Sequence, residues 1–202
     1  MTDHYLKRIT YAKNTRAELD KLFVAILKDA PIVVVKDKIY LSTLFDLVIQ
    51  SALICAGLTD GQITENELSF IKELSDRRAL AYYFDRYSAS VNSGLPPLDL
   101  DELPEIAEAL DQNGRKNLSA FVVQSVMNEA RLVARAGATA QKSTGKNYLY
   151  ALESGFLNIV YAFCEIDGDN IQDIKAGNVK LANEVGVCDA VFKLLIKENW
   201  KS

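Results

Sequence analysis

Histidine is almost missing from this chain. His4 stands alone, in an N-terminus read as mobile, so Ser-His-Asp or Cys-His catalysis and histidine-ligated zinc are poor readings. Cysteine is nearly as scarce: Cys55, Cys164 and Cys188 are odd in number, show no CxxC spacing, and two of them sit inside apolar runs. That is the pattern of reduced, buried thiols in a cytoplasmic protein, not of a secreted disulfide framework or a thiolate zinc site. A basic surplus is absent too. The formal net charge of −4 and the pI near 5.1 offer no clustered positive face for phosphate backbones, which excludes nucleic acid as a partner. No hydrophobic run is long. The longest, Leu44 to Gly57, is interrupted by Asp46, Gln50 and Ser51 and falls short of the roughly 20 residues of a bilayer crossing. The first residues, MTDHYLKRITYAKN, contain no apolar h-region of a signal peptide. Four prolines and ten glycines are few, which turns the balance from sandwich or barrel towards helix.

What is present is ordinary globular material: 202 residues, 49% hydrophobic and 25% charged, enough for one sizeable core. The apolar positions recur at helical spacing almost throughout. Leu6, Ile9, Ala12, Ala17, Leu19, Leu22, Phe23, Ile26 and Leu27 predict one amphipathic helix, or two joined near Asn14 and Thr15, ended by Pro31. IVVVKDKIYL is β-branched but has no second strand to pair with, so it reads as an extended connector. A helix capped by Ser42 or Thr43 follows, with Leu41, Leu44, Phe45, Val48, Ala52 and Leu53 as its main stripe. Leu47, Ile49 and Ile54 widen that stripe nearly all the way round, which places this helix in the middle of a bundle.

Beyond the Asp60-Gly61 turn, Thr64 and Glu67 form a T-x-x-E capping box, and the helix it opens should bury Leu68, Ile71 and Leu74. Residues 77 to 91 look helical, and Pro96 and Pro97 mark the clearest loop, read as internal because neither half has a core of its own. DLDELPEIAEAL predicts a short acidic helix stopped by Asn113-Gly114. A long helix over 116–137 buries Leu118, Phe121, Val122, Val126, Ala130, Val133 and Ala134, and ATAQKSTGKN is a second loop. From Tyr148, the positions Leu152, Phe156, Ile159, Val160 and Phe163 share one face up to Asp167-Gly168, and two more helical segments follow. The expected fold is all-α, a single helical bundle of about seven or eight helices. Residues 1–40 form an N-terminal helical extension and connector, and 41–202 the main domain.

The chemistry-bearing stretches are two acidic turns. Asp60-Gly61-Gln62-Ile63-Thr64-Glu65-Asn66-Glu67 matches the back half of an EF-hand loop: a ligating Asp, a turn glycine, an isoleucine and a distal glutamate. The front half is missing, because Ala56 and Leu58 stand where the first carboxylates belong. The second turn, Glu165-Ile166-Asp167-Gly168-Asp169-Asn170, is richer in oxygen ligands, yet Lys175 and Ala176 replace the distal acid. Packed antiparallel as pseudo-symmetric helix–acidic turn–helix hairpins, the two would bring Asp60, Glu67, Asp167 and Asp169 to one hard-cation site suited to calcium, magnesium or manganese. The plainer reading makes Asp60 and Gly61 turn residues, Glu67 a capping-box partner and the second turn a solvated acidic corner. GATAQKSTGKN lacks the glycine register of a phosphate loop, and the acidic run Asp99 to Glu108 is a solvated face.

LICAGLTDGQITENEL, with AFCEIDGDNIQDIK and KLANEVGV as its looser copy, resembles the TerB-like, tellurite-resistance-associated helical domains: an apolar helix ending in Asp-Gly, then a hydrophobic residue and a glutamate on the next helix, repeated towards the C-terminus. The likeness covers residues 40 to 200 and lacks the distal acid in its second copy. It implies an all-helical domain, acidic residues that bind metal, and a non-enzymatic scaffold or sensor in stress response, working with protein partners at a membrane-associated complex on the cytoplasmic side. Two other readings use the same residues: a carboxylate-metal enzyme on a small or phosphorylated substrate, and a structural adaptor whose turns bind nothing.

Overall fold

The structure, a computed structural model, describes residues 3–30, 38–58, 61–74 and 100–166. It is all-helical. Seven helices appear among the described residues: α1 (Asp3–Asp29), α2 (Lys38–Gly57), α3 (Glu65–Leu74), α4 (Leu103–Ala109), α5 (Gln112–Ser125), α6 (Met127–Thr144) and α7 (Tyr148–Cys164). No strand occurs among those residues.

Local chemistry sets the helix ends. At α3, the Thr64 hydroxyl accepts from the Glu67 N–H at 3.1 Å while the Glu67 carboxylate accepts from the Thr64 N–H at 2.8 Å, a complete reciprocal box. Asp111 caps α5 by accepting from the Gly114 N–H at 2.7 Å. Gly145 closes α6 in the left-handed region (φ 70°), with its N–H bonded to the Gln141 carbonyl at 2.8 Å, a conformation that costs a Cβ-bearing residue about 1–2 kcal/mol.

Several expected boundaries move. α1 is one continuous helix through Asn14 and Thr15. α2 begins at Lys38, inside the stretch expected to be connector, so Ser42 is not a cap. Asn113-Gly114 lies in the first turn of α5 and does not stop α4. The expected long helix over 116–137 breaks at Val126 (φ −111°, ψ 10°), where the Ser125 hydroxyl bonds back to the Val122 carbonyl at 2.7 Å. Helix then continues through most of ATAQKSTGKN, leaving only residues 145–147 as a turn. Ala and Gln favour helix there, and Ala136 and Ala140 are buried. The regions expected to be helical at 77–91 and after Gly168, and the Pro96-Pro97 loop, lie outside the described residues.

α2 is the hub. Leu41, Phe45, Leu47, Val48, Leu53, Ile54 and Cys55 are each almost wholly buried, and α1, α3, α5, α6 and α7 all pack against it. Tyr40–Gly57 is long and apolar enough by composition to cross a membrane, yet 78% of that window is buried inside the molecule, as a core helix requires. α1 packs most extensively on α7. Gly155 permits the close approach, because a Cβ there would sit 2.6 Å from Leu19 Cδ2. Phe45 meets Phe23 of α1 and Phe156 of α7 edge-on, with ring centroids 5.4 and 6.4 Å apart. α1 thus contributes Tyr5, Ile9, Ala12, Leu19, Phe23 and Ile26 to the same core as every other helix. Leu6 and Ala17, expected inward, are exposed, Leu6 by 49%.

Candidate functional site: the braced acidic corners

Of the four proposed metal ligands, Asp60, Asp167 and Asp169 lie outside the described residues. Glu67 is described, and its carboxylate is part of the capping box at the head of α3. Among the described residues, which hold only Glu67 of the four, no three His, Cys, Asp or Glu side chains gather where they could hold a metal ion.

What stands at each corner is a basic side chain from elsewhere in the chain. At the first, Gly61 adopts φ 85°, and a Cβ built on it would lie 2.7 Å from Arg115 Nη1. The same nitrogen donates to the Leu110 carbonyl at 2.5 Å. Arg115 reaches the turn from the first helical turn of α5, so its guanidinium covers the glycine that follows Asp60. At the second corner, Glu165 ends α7 and is only 5% exposed. Arg8 Nη1 pairs with its carboxylate at 2.6 Å, and His4 Nε2 donates to its backbone carbonyl at 2.5 Å. A carbonyl only accepts, so the proton of that bond belongs to the imidazole. His4, expected in a mobile segment, therefore sits on the C-terminal end of α7, where a donor meets carbonyls that the helix itself leaves unpaired.

α1 also grips the first hairpin. The Tyr5 hydroxyl donates to Glu73 Oε1 at 2.9 Å, and Lys13 Nζ pairs with Glu73 Oε2 at 2.5 Å. Burial works against the Glu73 carboxylate, yet the bonds from Lys13 and Tyr5 outweigh it and hold the group below its ordinary value. Burial first and the Glu73 bond second push the Tyr5 hydroxyl up, so it stays a donor.

Deeper along α1 lies a largely buried ion pair. Arg16 donates through Nε to Asp46 Oδ1 at 2.5 Å and through Nη2 to Asp46 Oδ2 at 2.9 Å, a bidentate fork. Nη1 reaches Asp20 at 3.0 Å, and the Ser42 hydroxyl accepts from Arg16 while donating to Asp20 at 3.2 Å. The guanidinium also lies 5.6 Å from the Phe23 ring centroid. Burial alone would weaken its charge; Asp46 and Asp20 overcome that and leave its proton held more tightly than usual. A third polar clasp closes the far end, where Tyr148 and Lys146 both donate to Asp29.

Sequence reasoning missed Arg8, Arg16, Glu73 and Arg115. Asp46 was visible as a charge inside an otherwise apolar helix, which signals a buried partner, but periodicity does not say which basic residue answers it. No family model, no curated protein and no solved structure matches the chain.

Proposed function

We propose that the protein is a non-enzymatic helical binding module, of TerB-like type in its motifs, that works through protein partners and whose acidic corners are braced by its own basic side chains. The observation that carries this reading is the Arg8–Glu165 pair, 2.6 Å long, at a helix end buried enough that the carboxylate has little residual demand for a second cation. At the other corner Arg115 lies over Gly61, with its guanidinium bonded to the Leu110 carbonyl. A guanidinium against an acidic turn opposes a divalent cation there by charge repulsion. This arrangement favours the adaptor form of the module over the metal-linked sensor. The tellurite-resistance and stress-response setting, with partners at the cytoplasmic side of a membrane, belongs to the same proposal and rests on LICAGLTDGQITENEL and its second copy.

A thermal-shift series against calcium, magnesium, manganese and zinc, with chelator controls and the variants Asp60→Asn and Asp167→Asn, tests it. The expected result is a melting temperature that no cation moves in a variant-sensitive way. A shift abolished by either substitution would restore the shared metal site of Asp60, Glu67, Asp167 and Asp169. Cation-dependent turnover of a phosphorylated substrate would overturn the non-enzymatic reading altogether.

A further inference from the structure

α1 is a single helix held in two different ways along its length. From Arg16 onward it is anchored by burial: the Arg16–Asp46 fork, the Phe23–Phe45 edge contact, and Leu19 seated against Gly155. Ahead of Arg16 burial continues at Tyr5, Ile9 and Ala12, and the polar grips on two other helices are concentrated there. His4 and Arg8 hold Glu165 at the end of α7, while Tyr5 and Lys13 hold Glu73 on α3. One segment therefore ties α3 to the end of α7, through acids that lie 92 positions apart.

Between the two regimes stand Asn14, exposed, and Thr15, half-buried, two poor helix formers. The segment before them buries Tyr5, Ile9 and Ala12, and of these the tyrosine keeps a polar tip that water would satisfy equally well. Arg8 adds a standing cost, since its Nε is buried and meets no acceptor among the described residues. That cost is relieved when the segment lifts.

From this division we infer that residues 3–13 form a releasable clasp, which opens as one unit about Asn14–Thr15 while residues 16–29 stay seated on α2. Opening breaks the link between α3 and the end of α7 and uncovers Glu73 and Glu165 together with the apolar strip beneath Tyr5 and Ile9. The inference is independent of the proposed function, because it rests only on how α1 is held.

Hydrogen–deuterium exchange on the full chain decides it. In the double variant Arg8→Ala, Lys13→Ala, the amides of residues 3–13 should exchange about tenfold faster or more, with a step at residues 14–15 and less than about a twofold change over 16–29. Raising salt on the wild-type protein should reproduce the step without any substitution, which keeps the test valid if the variant folds poorly. Ordinary end-fraying gives a smooth gradient from residue 3 with no step, and a helix that opens in one piece gives equal acceleration across 3–29. Either pattern, or unchanged exchange, overturns the clasp.

Discussion

Arg16 shows how much a single buried charge can decide. Its guanidinium is matched by a bidentate carboxylate, a second acid and a hydroxyl, so removing one partner strands the other in a low-dielectric site. Asp46→Ala should cost about 3–5 kcal/mol in urea unfolding, the usual penalty for an orphaned buried charge. Arg16→Met combined with Asp46→Leu should cost far less than either change alone, since both charges then leave together. Additive losses in that cycle would show that the two side chains do not act as a pair. Glu73 is the milder case. Its carboxyl is held below the ordinary 4.5, so its contribution to stability is complete above the unfolded value and fades as pH falls through the folded one. Glu73→Gln should therefore flatten the acid limb of the stability curve below about pH 4.5, by at most about 1 kcal/mol because the pair is half exposed to solvent. An unchanged acid limb would mean that Lys13 and Tyr5 do not bias its charge.

At the scale of helices, periodicity read the apolar faces well and the ends poorly. Leu152, Phe156, Ile159, Val160 and Phe163 were assigned to one buried face and are buried, because a 3.6-residue repeat is enforced over the whole length of a helix. Ends depend on one or two local bonds. The capping box at Thr64 has a sequence signature and was legible; the Ser125 back-bond that breaks helix at Val126 has none, and neither does the start of α2 at Lys38. Of the candidate site, the turn glycine and the box were readable, whereas the arginines that reach the corners come from remote helices and follow no spacing rule. Gly155 makes the same point about packing. Replacing an interior helical glycine by alanine ordinarily stabilises by about 0.5–1 kcal/mol, but here the new Cβ would lie 2.6 Å from Leu19 Cδ2 and 2.9 Å from its Cγ. Gly155→Ala should instead destabilise by about 1–3 kcal/mol, and Leu19→Ala in the same chain should absorb most of that clash. A stabilised Gly155→Ala protein would show that α1 and α7 do not cross at this glycine.

At the scale of the whole molecule, the described helices gather around α2, with ion pairs and aromatic contacts between them. Phe45 carries the most of this, since it joins α2 to α1 through Phe23 and to α7 through Phe156, whereas the contact of Phe70 with Phe163 fastens α3 to α7 alone. If these helices share one core, a cavity at Phe45 weakens all of them at once. Phe45→Ala should then lower stability by about 3–5 kcal/mol while unfolding stays a single transition with an unchanged dependence on urea. A core assembled from separate units would respond otherwise, with helices near Phe45 melting first and a second transition surviving near the wild-type midpoint. The distinction bears on how the clasp of α1 works, because a strap can lift from Glu73 and Glu165 without loss of the fold only when the remainder of the bundle unfolds as one cooperative body.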